Sequence, residues 1–227
     1  MYCLDRKNKQ IAEMFSNISP TYDFLNRLLS FNIDKVWRKR AVSLLKGNFF
    51  LDVATGTGDV LLEVKKKFGS VELTGVDLSL DMLKIANKKI KDSSFVCAPA
   101  ERLPFKDNSF DGVTIAFGLR NVVDRVSALF EFKRVLKSGG KLVILEFNRP
   151  VNRFFGMLYG FYSFTFMPFV GRLISKDKAA YTYLPKSIRR FPDVEFLRSM
   201  MESVGFKDVY YQPLTFGVSF IHCGKKP

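Results

Sequence analysis

Phe49-Phe-Leu-Asp-Val-Ala-Thr-Gly-Thr-Gly-Asp59 decides how the rest of the chain reads. Residues 49–53 form a short apolar run of the kind a buried parallel strand requires. Gly56 and Gly58 follow where that strand turns into a helix over 60–68, and glycines there let a ligand approach the backbone while the helix start offers free N–H groups. The alternation then repeats downstream. Strands are predicted over 71–76, 94–97, 110–116 and 141–147. Helices are predicted over 80–90 and 128–136, the second stopped by Gly139-Gly140. This period predicts an α/β fold, a doubly wound, mostly parallel sheet. Pro192 opens a further helix ending at Gly205, and closing strands over 208–212 and 217–223, joined by a turn near Pro213, bring the total to seven.

Upstream, the texture is helical. Ile11, Met14, Phe15 and Ile18 recur at helical spacing, and Tyr22, Leu25, Leu28 and Leu29 follow Pro20. Ser19-Pro20 reads as a cap with proline at the first helical position, and Asp34 as the cap of a third helix that Gly47 stops. Four regions follow: a helical N-terminal arm over 1–47, an α/β core over 48–148, a basic aromatic cap over 149–190, and a helix and hairpin over 191–227 that complete the sheet.

The loop chemistry narrows the ligand. A dinucleotide fingerprint wants a third glycine at position 61, where Leu61 stands. Asp52 and Asp59 flank the loop, an arrangement poor for pyrophosphate but suited to a cofactor with a cationic end, such as the ammonium and sulfonium of S-adenosylmethionine. Asp77 ends the second strand, where a carboxylate accepts bonds from both hydroxyls of an adenosine ribose. Asp52, Gly56, Thr57, Gly58, Asp77, Leu78, Ala100 and Ala116 are the expected cofactor-binding residues. The bland alternative is a tight turn with chance acids.

Composition excludes other classes. The single histidine, His222, rules out a histidine-built metal site and leaves a histidine-based hydrolase almost nothing to rest on. Three scattered cysteines suggest a reducing cytoplasm. Thirty-six Lys and Arg against twenty-two Asp and Glu leave a net charge of +14, which attracts polyanions unless it is only a solubility charge. Eight basic residues against one acid fall within 149–190, half of that surplus. The same window holds eighteen uncharged residues, 154–171, eight of them aromatic. Its glycines, Pro168 and tyrosines make it a poor membrane span. It reads either as an interfacial segment dipping aromatics into lipid or as core packing under a lid. No N-terminal targeting signal is seen, so membrane contact is expected from the cytoplasmic side, peripheral on the inner face.

Over nearly its whole length the chain resembles the ubiquinone/menaquinone biosynthesis C-methyltransferases. The matching stretches include Phe15-Ser-x-Ile-Ser-x-x-Tyr22-Asp23-x-x-Asn26, Leu29-Ser30-Phe31, Leu51 to Asp59, Ala100-Glu101-x-Leu-Pro104-Phe105, Phe117-Gly-Leu-Arg-Asn121, Leu145-Glu-Phe147 and Tyr181-x-Tyr-Leu-x-x-Ser187. The glycine loop is general to class I methyltransferases. The stretches at 117–121 and 181–187 are far more specific. The resemblance implies a seven-stranded Rossmann-like methyltransferase sheet, S-adenosyl-L-methionine as cofactor, and a polyprenyl quinol methylated on a ring carbon. By position Thr57 and Asp77 match cofactor-binding residues. Pro99 replaces the Asn or Asp that relatives often use toward adenine, and Ala116 a serine that some carry, so backbone groups around 98–100 must serve instead.

Carbon methylation needs an electron-rich ring carbon held in line with the methyl group in a dry site. Arg120 is expected to stabilise the phenolate through a water, Asn121 to orient a quinol oxygen, and Tyr22 to close the site. The plain alternatives are Arg120 capping a helix or pairing with Asp124, and Tyr22 as packing. Two other functions compete: a class I methyltransferase acting on a lipid amine such as phosphatidylethanolamine, and a basic nucleic-acid-binding protein. The second needs exposed stacking aromatics along a basic groove, whereas here the aromatics run together without charges, so no nucleic acid partner is expected. A homodimer would be unsurprising.

Overall fold

The apolar runs become β1 (Phe49–Val53), β2 (Glu72–Asp77), β3 (Ser94–Cys97), β4 (Phe110–Ala116), β5 (Leu136–Phe147), β6 (Lys207–Leu214) and β7 (Ser219–Lys225). The computed structural model describes residues 6–148, Tyr183 and 187–227. The strands form one sheet in the order β3-β2-β1-β4-β5-β7-β6. The first five run parallel, and β7 lies antiparallel to both its neighbours. Helices α1 (Arg6–Ile18), α2 (Tyr22–Leu29) and α3 (Ile33–Ser43) precede the sheet; α4 (Asp59–Phe68), α5 (Leu80–Lys89), α6 (Arg125–Val135) and α7 (Val194–Val204) are the connections. The sheet is the doubly wound, Rossmann-like one expected.

Strand periodicity sends alternate residues to opposite faces, and each face has its own core. Leu51, Val53, Val76, Ile115 and Ile144 pack with Leu129 and Phe132 of α6 and Leu197 and Met201 of α7. Phe50, Val143 and Ile221 pack on the other face with Trp37 and Val42 of α3 and Leu61 and Val64 of α4.

Several local expectations are corrected. Gly139-Gly140 does not stop a helix: α6 ends at Val135, and β5 starts at Leu136 and contains both glycines. A register shift lies between the Phe110↔Leu136 and Gly112↔Lys141 pairs, and a Cβ at Gly140 would sit 2.8 Å from the Lys137 carbonyl oxygen. The glycine serves a bulge rather than a helix end. Asp34 is not a cap. Asn32, in left-handed backbone, precedes α3, and Asp34 is buried in its first turn, bonded to Arg38 and to the Ser30 hydroxyl. Ser19 does not cap α2 either; its hydroxyl donates back to the Ser16 carbonyl. Asp193, after Pro192, caps α7 by accepting from the Phe196 N–H at 2.8 Å. The β6–β7 turn falls at Thr215–Gly217, and Pro213 lies inside β6, an edge strand where a missing donor costs little.

The basic aromatic stretch over 149–190 lies outside the described residues apart from Tyr183 and 187–190. Among the described residues no helix is long and apolar enough to cross a membrane.

Candidate functional site

Strand order reverses beside β1, so the loops that leave β1 and β4 diverge at their carboxyl ends and open a crevice. A cleft partly open to solvent, about 670 Å³ with its mouth included, occupies it. Its floor comes from Val53, Ala54 and Gly56 after β1, Asp77 and Leu78 at the end of β2, Ala98 and Ala100 after β3, and Ala116, Phe117 and Asn121 after β4. Ile11, Ala12 and Phe15 of α1 and Tyr22 of α2 also line it, so the N-terminal arm supplies one wall. Two non-glycine residues at the rim, Ala54 (φ 52°) and Phe117 (φ 56°), hold left-handed backbone. That strain is typical of functional turns. The two loops also touch: a Cβ at Gly118 would lie 2.5 Å from that of Ala54.

Asp77 is the polar anchor of the cavity floor. One carboxylate oxygen accepts from the Gly56 N–H at 2.8 Å and the other from the Ser79 N–H at 2.9 Å. Burial pushes its pKa up, against the pull of backbone N–H donors from Ser79, Gly56 and Leu78. A carboxylate has about four acceptor positions, so these donors leave it spare acceptor capacity. A carboxylate with spare acceptors beside apolar Leu78, Met82 and Ala98 and a side-chain-free Gly56 fits the ribose and base of an adenosyl group.

The arm is held over this floor by polar and charged contacts. The hydroxyls of Ser16 in α1 and Ser79, which caps α5, bond at 2.8 Å. Thr57 donates to Asp23 of α2 at 2.5 Å, and Asp23 also pairs with Lys89. Lys89 reaches Asp59 at 3.0 Å, Arg27 does so at 3.3 Å, and Arg38 lies 3.9 Å from it. Burial alone would raise the Asp59 pKa; the charges of Arg38, Lys89 and Arg27 outweigh it and hold the carboxyl below its usual value. Helices α2 and α3 are thereby tied to α4 and α5.

On the other side of the cavity Arg120 is buried. Its Nη1 donates to Glu146 Oε1 at 2.8 Å and to the Phe117 carbonyl, its backbone N–H donates to Glu146 Oε2 at 3.1 Å, and its guanidinium stands 5.7 Å from the Phe147 ring centroid. The partner is Glu146, not Asp124, which instead caps α6 through the Ser127 N–H. Asn121 Oδ1 accepts from the Tyr183 hydroxyl at 3.1 Å. That bond joins 117–121 to 181–187, the two stretches most specific to the family resemblance. Tyr22 faces the same space, its pKa raised by burial and partly restored by the charge of Arg120.

The expected site residues therefore divide. Tyr22, Gly56, Asp77, Leu78, Ala100, Ala116 and Asn121 line the cavity, whereas Asp52, Thr57, Gly58 and Arg120 stand behind it. Gly58 caps α4 in left-handed backbone (φ +84°), where a Cβ would meet Ala86 and Ile90 at 3.2 Å. Asp59, which was expected to offer charge to the ligand, is neutralised by three cations. Asp52 is likewise withdrawn from the cavity. It is buried, accepts from the Thr114 hydroxyl at 2.6 Å, and has its pKa pushed up to about 7 by desolvation. Its Oδ2 and the nearby Thr55 hydroxyl meet no hydrogen-bond geometry. Sequence reasoning did not nominate Glu146, Tyr183, Glu101 or Phe15. Glu146 stands as a lone acid in the apolar run 141–147, and all four stand in the quoted family stretches.

Residues 3–226 match the model of the ubiE/COQ5 methyltransferase family. The chain belongs to this family. It is 47% identical to the ubiquinone/menaquinone biosynthesis C-methyltransferase UbiE of Geobacter sulfurreducens, covering all of this chain and 92% of the relative. It is 48% identical to the demethylmenaquinone methyltransferase of Thermus thermophilus, covering 94% of this chain and all of the relative. Among solved structures, a possible histamine N-methyltransferase from Thermotoga maritima, S-adenosylmethionine-dependent, superposes with a TM-score of 0.69 at 23% identity, over 94% of this chain and all of that one; it shares the fold. The family member described here is thus an S-adenosylmethionine-dependent C-methyltransferase.

Two predictions follow from the buried charges. Between about pH 4 and 7 an unfolded Asp52 releases its proton while the folded one keeps it, so Asp52 lowers stability as pH rises through that window. From about pH 5 to 8 the wild type should lose about 2–3 kcal/mol relative to Asp52→Asn, read by urea unfolding at each pH. Arg120→Ala leaves the Glu146 carboxylate buried without its cation and should destabilise by about 3–5 kcal/mol. Adding Glu146→Gln should recover much of that loss in the same assay, which a purely catalytic role for Arg120 does not predict.

Proposed function

We propose that this methyltransferase acts on a ring carbon of a polyprenyl quinol, a demethylmenaquinol or a related methoxybenzoquinol, at the inner face of the membrane. The observation that carries the reading is the Tyr183–Asn121 hydrogen bond at the cavity, which joins the two most distinctive stretches of the chain. The names of relatives that match the chain end to end point the same way.

S-adenosylmethionine, held along Gly56, Asp77 and Leu78, supplies the electrophilic methyl group when bound. The chain's own residues then position the acceptor. With its Oδ1 engaged by Tyr183, Asn121 has its amide N–H groups left to donate to a quinol oxygen. Donors aimed at the oxygen stabilise it as it becomes a phenolate. The electron-rich ring carbon then bonds the methyl group as the methyl–sulfur bond breaks and its electron pair stays on the neutral thioether. Loss of the ring C–H proton, with the oxygen regaining its own, restores the aromatic quinol and releases one proton in all. Burial keeps the Tyr22 phenol protonated at neutral pH, so it donates rather than takes the proton. Arg120, bonded to Glu146, sets positive potential behind this group and does not act as a base. Water receives the quinol proton. Apolar walls from Phe15, Val53, Ala116 and Phe117 exclude bulk solvent, which favours a step in which sulfonium and phenolate charges neutralise each other.

The basic aromatic stretch over 149–190 accounts for the tail of such a substrate: aromatics grip isoprenoid units while arginines meet anionic headgroups. Labelled methyl transfer from S-adenosylmethionine into bacterial lipid extract, followed by mass spectrometry, tests the proposal. A methyl on a quinol ring carbon is expected, with kcat reduced about 100-fold in Asn121→Ala. Label in phospholipid amine, or none in quinol despite cofactor binding, overturns it.

A further inference from the structure

The N-terminal arm has an outer surface that the cavity does not use. Phe24 and Leu28 lie one helical turn apart on α2, and both are exposed. Phe31 follows in the turn between α2 and α3, and Val36 stands on α3. Their exposure runs from 41% at Leu28 to 69% at Phe31. Phe31 and Asn32 both hold left-handed backbone, φ 51° and 60°, a conformation that bulky residues avoid. A second loop belongs to this surface. The Trp37 indole N–H donates to the Thr215 hydroxyl at 2.9 Å, which sets the β6–β7 turn beside α3. Its tip, Phe216, is 69% exposed and also in left-handed backbone (φ 56°).

Charge identifies what this surface meets. Lys35, Lys39 and Arg40 are exposed on α3, and no carboxylate pairs with them among the described residues. Between Phe24 and Leu45 the sole acid is Asp34, which is buried against Arg38. Exposed aromatic and aliphatic side chains on the same elements as these cations match an anionic lipid leaflet, with the rings entering the interfacial layer and the cations meeting headgroup phosphates.

We infer that α2, α3 and the Thr215–Gly217 turn form a membrane-docking surface for anionic phospholipid bilayers. This inference rests on the quinol reading and deepens it. Tyr22 and Phe24 lie on the same helix, one lining the cavity and the other exposed, so docking through α2 puts a cavity wall within one helix thickness of the leaflet where a polyprenyl tail resides.

Co-sedimentation with vesicles of phosphatidylglycerol and phosphatidylcholine tests the surface, alongside methyl transfer to a short-tailed quinol in detergent and to a long-tailed quinol in the same vesicles. Two variants of the full chain are compared with wild type: Phe24→Ser/Phe31→Ser/Phe216→Ser, and Lys35→Glu/Lys39→Glu. Each is expected to lose at least about tenfold in vesicle affinity and in turnover of the embedded quinol, with short-tailed turnover retained. Wild-type binding should fall with salt, as an interaction with anionic headgroups requires. Vesicle binding equal to wild type in both variants overturns the inference. So does conversion of a dimer to a monomer with vesicle binding intact, which would make the surface a contact between copies. Failure of wild type to methylate the short-tailed quinol counts instead against the proposed activity, whatever the vesicles show.

Discussion

A sheet that starts in its own middle imposes a gap. Because β2 pairs on one side of β1 and β4 on the other, the two connections leave in opposite directions and cannot cover the carboxyl end of β1. The gap must be lined by whatever the loops carry and closed by another part of the chain. The floor is made of backbone and small side chains, Gly56, Ala98, Ala100 and Ala116, with Asp77 as its anchoring carboxylate. Among the described residues, closure falls to the arm. The positive-φ residues Ala54 and Phe117 sit at the two places where the chain must turn most sharply away from the gap.

Charge in this protein is used chiefly for joining elements. Asp23, Asp59, Lys89, Arg27 and Arg38 fasten the arm to α4 and α5, and the Arg120–Glu146 pair braces the turn after β4 against β5. A buried pair of this kind gains little net stability over an apolar substitute but fixes a geometry, because breaking it leaves an uncompensated charge. The polar side chains that face the cavity are by contrast neutral, Asn8, Tyr22 and Asn121, apart from Asp77 and Glu101. Glu101 is itself engaged at 3.1 and 3.3 Å by the N–H groups of Val123 and Asp124.

The fold was legible because parallel strands carry dense apolar runs and helices a helical period, so β3 and β4 fall where the residue pattern puts them. Caps and turns were less legible. Asp34 and Ser19 have the chemistry of caps, but tertiary partners, Arg38 for one and the Ser16 carbonyl for the other, claim their oxygens. The same competition governs the site. Asp77 reads directly from its place after β2. Asp52 and Asp59 stand in equally suggestive positions, yet one is buried against Thr114 and the other faces three cations from elements distant in sequence. No local pattern encodes which way a carboxylate turns. The Arg120–Glu146 pair and the Tyr183–Asn121 bond escape a local reading for the same reason, joining residues 26 and 62 positions apart.

The central claim is that the crevice beside β1 holds the methyl donor through Asp77. Calorimetric titration of S-adenosylhomocysteine into wild type and Asp77→Asn tests it most directly. The substitution keeps an oxygen for one backbone N–H but weakens acceptance from ribose hydroxyls, so affinity should fall by about tenfold or more, with a near-native unfolding transition. Unchanged affinity in a folded variant would contradict the account and move the cofactor elsewhere.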